Sequence, residues 1–215
     1  MKKQKAIVLG ATGATGQELV NCLLEDSDFS EVMVFVRKMD DRQQNKLIIH
    51  QIDFSKIQAY KAHIKGDVLF SCLGTTFIEA GSKDNQYLVD FTYQYEFAKI
   101  AAENKVPHYF LVSSTGANEK SPFFYPKIKG KLEEAVKKLP FKSIRIFQPP
   151  TLIRQKERIR SVEKIGFKIF GFLNFFGILK SQKPLPVSIL AQKMVSVFKK
   201  KDKRKISILT SKDIF

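Results

Sequence analysis

Cysteine is scarce in this 215-residue chain: there are two, Cys22 and Cys72, far apart and without CxxC spacing. They build neither a disulfide framework nor a zinc site, so no metal is expected, and a reducing, cytoplasmic setting fits. Long apolar runs are missing as well. No stretch approaches the ~20 residues that a bilayer-spanning helix needs. The first apolar run follows Lys2, Lys3 and Lys5, is broken at once by glycines and has no small-residue cleavage site, so no signal peptide is read. Internal repeats and low-complexity segments are absent, as are zinc-finger spacing, an RNP motif and a basic heptad array. Nucleic acid is therefore disfavoured as a partner despite a net charge of +16. With 44% apolar residues, one domain over residues 1–215 can bury a sizeable core.

Acidic residues are lacking in one half only. Residues 1–119 carry 13 Lys and Arg against 15 Asp and Glu, whereas residues 120–215 carry 24 against 6. A basic half suits an acidic ligand or a membrane surface, and equally suits plain solubility.

The chain is organised around its first apolar run. Ala6 to Leu9 reads as a buried strand, followed by Gly10-Ala11-Thr12-Gly13-Ala14-Thr15-Gly16 and then a helical stripe of Leu19, Val20, Leu23 and Leu24. A glycine turn between strand and helix suits a pyrophosphate at the helix N-terminus. Gly10 would turn the chain, Gly13 would bare the backbone and Gly16 would let the helix pack closely. The spacing is GxxGxxG, and an ordinary tight turn is the competing reading.

Further strands are expected at residues 31–36, 47–52, 67–71, 108–112, 141–147 and 206–209. Between them helices are expected at 83–104, with Leu88, Phe91, Tyr95, Ala98 and Ala102 buried, and from Pro126, with Ile128, Leu132, Ala135, Val136 and Leu139 buried. A last helix over 188–200 would bury Ile189, Leu190, Met194, Val197 and Phe198. The alternation predicts an α/β, Rossmann-like doubly wound parallel sheet, helices on both faces, with a small substrate-side segment at about 150–187. Right-handed crossovers then bring the strand ends to one edge.

Those ends carry the candidate ligand contacts. Arg37 and Lys38 follow the second strand with no carboxylate there, which favours a 2′-phosphate and hence NADPH over NADH, a solvated turn being the alternative. Asp53, before Phe54, suits the adenine amino group or a helix N-cap. Cys72-Leu73-Gly74-Thr75 offers close backbone approach and a hydroxyl. Ser113 and Ser114 end the fifth strand, and Gln148-Pro149 follow the sixth.

Tyr125 and Lys129 are four apart, hence one turn apart on one helix face. Carbonyl reduction needs a proton for the oxygen as hydride reaches the carbon. A tyrosine, with an ordinary pKa of about 10, gives it sluggishly at neutral pH. A neighbouring ammonium favours tyrosinate, each unit of lowering amounting to about 1.4 kcal/mol. A serine can polarise the carbonyl. A surface tyrosine and lysine are the plain alternative.

With these pieces assembled, the sequence resembles the short-chain dehydrogenase/reductases, and among them the atypical NAD(P)-binding branch typified by the Tat-interacting-protein-like oxidoreductases. The stretches that carry the resemblance are GATGATG at Gly10, VRK at Val36, DF at Asp53, CLGTT at Cys72, SSTGA at Ser113, YPKIKGKLE at Tyr125 and LPV at Leu185. The resemblance implies a Rossmann-like domain, NADPH binding at the residues above, and a Ser-Tyr-Lys site. In that site Tyr125 is the acid/base, Lys129 is its partner and a ribose contact, and Ser113 or Ser114 is the serine. It also implies an alternative, an NADPH-binding regulator or sensor without turnover. Gln148-Pro149 stands where the branch tends to have Arg-Pro, so that contact differs.

One stretch is left over. Residues 166–179, GFKIFGFLNFFGIL, hold five phenylalanines flanked by Lys164, Lys168, Lys180 and Lys183. Core packing, a lid over an apolar substrate pocket and docking on an acidic membrane all fit. The lid reading predicts a hydrophobic small-molecule substrate. Monomer and dimer both fit.

Overall fold

The computed structural model describes residues 2–38, 43–153, 184–200 and 202–215. The phenylalanine-rich run 166–179, the basic stretch 154–160 and the charged turn at 40–42 lie outside the described residues.

Seven strands make one sheet: β1 (Gln4–Leu9), β2 (Phe29–Val36), β3 (Leu47–Gln51), β4 (Val68–Ser71), β5 (His108–Val112), β6 (Ser143–Phe147) and, last in the chain, Ile206–Leu209. The order across the sheet is β3-β2-β1-β4-β5-β6 and then 206–209, and every pair is parallel. The order reverses between β1 and β4, which opens a crevice at their carboxyl ends.

Side chains of β1 alternate between two cores, as a sheet covered on both faces requires. Ile7 and Leu9 pack with Phe97, Leu132 and Val136 on one face. Ala6 and Val8 pack with Leu19, Val20, Leu190 and Met194 on the other. The first layer holds α4 (Tyr93–Glu103) and α5 (Phe124–Lys137). The second holds α1 (Ala14–Glu25) and α6 (Val187–Lys199). Each fully buried Leu, Ile or Val contributes about 1.5–3 kcal/mol, so both faces are secured by burial and the strand ends are free to vary.

The structure corrects the expected helix over 83–104. It is α3 (Lys83–Tyr87), a π turn over Leu88–Thr92 and then α4, preceded by the short α2 (Phe77–Ala80). The extra residue rotates the face. Leu88 is 39% exposed, while Gln86, Asp90 and Gln94 are buried at four-residue spacing. Of the expected stripe, Ala98 and Ala102 are buried and Phe91 and Tyr95 pack against the core; only Leu88 fails, and a polar stripe is buried beside them that apolar periodicity does not announce. Ile189 likewise faces outward on α6. Leu152–Ile153 and Leu185–Pro186 form a two-stranded parallel ribbon that the sequence pattern did not suggest.

Candidate active site

The turn after β1 depends on two glycines. Gly10 has φ +83°, and a Cβ there would lie 2.5 Å from Leu73 N. A Cβ on Gly16 would meet the Gly10 carbonyl oxygen at 2.1 Å, so Gly16 packs on the turn itself. Gly13 is the N-cap of α1 and no side chain caps it. The first amides of a 12-residue helix are thereby left to a ligand, a setting that suits phosphate. Thr12 and Gly13 are exposed, Ala14 is half-buried, and Thr15 is buried with Gly16.

The loop after β4 closes on this turn and on α3–α4. Thr75 N donates to Asp90 Oδ2 at 3.3 Å, and Gln86 Nε2 donates to Thr75 O at 3.5 Å. Cys72 is half-buried, and burial pushes its thiol up to about 12, so it is no thiolate at neutral pH. Gly74 lies over an ion pair: a Cβ on it would be 3.4 Å from Asp90 Oδ1 and 3.7 Å from Lys129 Nζ.

That pair is the electrostatic centre of the site. Lys129 Nζ lies 2.8 Å from Asp90 Oδ1, with the two side chains 3% and 0% exposed. Lys129 Nζ also sits 5.7 Å from the centre of the Tyr125 ring. Burial pulls the Lys129 ammonium down, but Asp90, Tyr125 and Glu133 outweigh it and its pKa stands above the ordinary lysine value. Tyr125 goes against expectation. Burial raises its phenol, Lys129 lowers it, Asp90 raises it, Ser114 lowers it, and the net direction is up. Burial outweighs the lysine's field and Asp90 adds to the rise, so Tyr125 stays protonated at neutral pH.

The two serines have different surroundings. Ser113 Oγ donates to Glu133 Oε1. Ser114 Oγ is buried and, among the described residues, has no hydrogen-bond partner of ordinary geometry, although it lies near enough to the Tyr125 hydroxyl to favour its phenolate. Gln148 Nε2 donates to both Glu133 oxygens at 3.0 and 3.1 Å, so this side chain is turned onto α5. Pro149 is buried, and its carbonyl accepts from Thr115 N at 3.0 Å.

The remaining candidates sit at the same sheet edge in other roles. Arg37 and Lys38 are exposed just past β2. Asp53 accepts from Ser55 N and Ser55 Oγ at 2.9 and 2.7 Å, the N-cap alternative, and these bonds hold its carboxyl below the usual range. The ring of Phe54 is in the core, 5.6 Å from that of Tyr93. The structure thus brings together Gly74, Tyr125, Lys129 and Ser114, and turns the side chains of Ser113, Asp53, Phe54 and Gln148 elsewhere.

Sequence reasoning missed Asp90, Glu133, Gln86 and Gln94. A signal existed for each. Gln86, Asp90 and Gln94 recur every four residues, and Glu133 follows Lys129 by four.

Glu133 has a measurable consequence. Burial raises its carboxyl from the ordinary 4.5, with the bonds from Ser113 and Gln148 opposing. A folded pKa above the unfolded one means that the fold loses stability as pH climbs from the unfolded value through the folded one. Glu133→Gln escapes this loss. Its melting temperature relative to the native chain is expected to rise as pH climbs above the ordinary carboxylate value, and thermal melts against pH check it.

Residues 10–139 match the family described as NAD(P)H-binding. The rat protein HTATIP2 is 33% identical over 177 residues, covering 80% of this chain and 73% of its own length. The chain belongs to this NAD(P)H-binding family, in the atypical short-chain dehydrogenase/reductase branch. The Debaryomyces hansenii protein FMP52, named mitochondrial, is 32% identical over 168 residues, covering 77% of this chain and 74% of its own. Among solved structures, a short-chain dehydrogenase family protein from Francisella tularensis superposes with a TM-score of 0.69 at 16% identity, covering 98% of both chains. MoeE5, in complex with UDP-glucuronic acid and NAD, gives 0.70 at 14% identity over 96% of this chain and 75% of its own. These likenesses bear out the Rossmann-like fold, and family membership makes the protein an NAD(P)H-binding one.

Proposed function

We propose that the protein is an NADPH-dependent reductase of carbonyl groups on small apolar molecules. The observation that carries this reading is Ser114 Oγ, buried beside the protonated Tyr125 hydroxyl and, among the described residues, without a hydrogen-bond partner of ordinary geometry. A buried polar atom without a partner is costly unless a ligand completes it, and a carbonyl oxygen would accept from both hydroxyls. Gly10 to Gly16 would hold the pyrophosphate, Arg37 and Lys38 the 2′-phosphate, and Lys129 the nicotinamide ribose. When bound, NADPH supplies the hydride.

The protein's own part is the proton. Tyr125 donates from its hydroxyl to the carbonyl oxygen as negative charge builds there. Ser114 donates a hydrogen bond to the same oxygen, and both Ser114 and Lys129 favour the phenolate that is left. A phenol held above its ordinary pKa enters the reaction with its proton in place, which suits reduction. Phe77 and Phe123, 53% and 41% exposed, lie next to the Thr75 loop and Tyr125 in sequence and support an apolar substrate. The raised Tyr125 also favours a second reading, a cofactor-binding regulator without turnover. Consumption of NADPH with a graded panel of aliphatic and aromatic aldehydes and ketones separates the two. Turnover that improves with apolar size supports the reductase; binding without any turnover supports the regulator.

Cofactor choice is a separate expectation. Titration should find NADPH bound about tenfold or more tightly than NADH, with Arg37→Ala removing most of the difference. Equal affinities in the native chain would contradict it.

A further inference from the structure

We infer that Gln94 is a positioning residue that fixes the π turn and so aims Asp90 at Lys129. A π turn is an insertion in a helix, rare and often found at functional sites. It leaves carbonyls out of step with the amides that follow. Here the Gln94 amide answers them: Nε2 donates to Asp90 O at 3.1 Å and to Val89 O at 3.4 Å. On its other side Gln94 Oε1 accepts from Ser71 Oγ at 2.9 Å. Ser71 is the last residue of β4 and leads into the Cys72–Thr75 loop. Gln94, Ser71 and Asp90 are all fully buried.

The three buried polar residues therefore act as a splint. Gln86 bonds Thr75 O, Asp90 bonds Thr75 N, and Gln94 ties the helix to the strand from which that loop springs. Replacing Gln94 with an apolar side chain of similar size removes the side-chain donor to the Val89 and Asp90 carbonyls. The plain α-helix then becomes the better alternative. Returning to it turns Asp90 by about 100° around the axis, off Lys129 Nζ and off Thr75 N. Among the described residues the Gln94 side chain bonds Ser71, Val89 O and Asp90 O and not Lys129, so its influence runs through Asp90.

The test needs no ligand. The Nζ resonance of the Lys129 ammonium is assigned by its loss in Lys129→Arg and recorded in the native chain, Gln94→Leu and Asp90→Asn. In Gln94→Leu it should move to the position it takes in Asp90→Asn. A resonance unmoved in a folded Gln94→Leu overturns the inference.

A second arm measures NADPH affinity and rests on the reading of Lys129 as a ribose contact. Gln94→Leu should weaken binding about tenfold in the native background and less than about twofold on Asp90→Asn. An equal loss on both backgrounds means a general structural role and overturns the inference. Should Gln94→Leu not fold, Ser71→Ala takes its place in both arms, with a smaller shift in the same direction and a loss of about threefold that vanishes on Asp90→Asn. Failure to reduce any carbonyl would sink the proposed activity and leave both arms readable.

Discussion

Tyr125→Phe is expected to lower carbonyl reduction by about 10²- to 10⁴-fold, the usual range for loss of a general acid, while NADPH affinity changes little. The ring remains to pack beside Lys129, and only the proton donor goes. Ser114 still holds the carbonyl oxygen but cannot replace the phenol, because an aliphatic hydroxyl is a far weaker acid. Single-turnover kinetics checks both halves of the statement. Loss of binding together with turnover would mean that the hydroxyl serves the cofactor instead.

Lys129→Met is expected to have the largest effect on stability. It leaves Asp90 fully buried without its cation, and breaking a buried pair from one side costs about 3–5 kcal/mol. Thr75 N, at 3.3 Å, is too weak a partner to offset that. Asp90→Leu combined with Lys129→Met should restore most of the lost stability, because the remaining charge goes too. Denaturant melts of the single and double variants test this. The pH dependence follows from the same pair. The Lys129 pKa is raised in the fold, so its stabilisation is complete below the unfolded lysine value of about 10.4 and fades as pH rises through the folded value. The native chain should lose stability there more steeply than the double variant.

Much of the scaffold was legible in the sequence. The strands at His108–Val112 and Ile206–Leu209 coincide with their expected bounds, and β1 to β4 and β6 differ by a residue or two at an end. Short apolar runs closed by glycine, serine or aspartate mark strands buried on both faces, and the helical stripes of α1 and α5 are apolar. The region 83–104 was legible in its second half, where Ala98 and Ala102 are buried, and not in its first, where the buried side chains are Gln86 and Asp90 and nothing in an apolar count announces a π turn. The site was legible as a set of strand ends and as Tyr-x-x-x-Lys. Its electrostatics were not. Lowering of the Tyr125 pKa by Lys129 was sound pairwise physics, but burial of the phenol outweighs it in the fold, with Asp90, 39 residues before Lys129 in the chain, adding to the rise. The different surroundings of Ser113 and Ser114 also depend on a distant residue, since Glu133 accepts from Ser113.

The most direct measurement is the fate of a labelled hydride. The protein is incubated with NADPH deuterated at the transferable position of nicotinamide C4 and an apolar ketone or aldehyde, and the product is read by mass spectrometry. Deuterium on the carbinol carbon with the native chain, and its loss with Tyr125→Phe, is the predicted result. Reduction without label in the product, or equal labelling by Tyr125→Phe, would contradict the account.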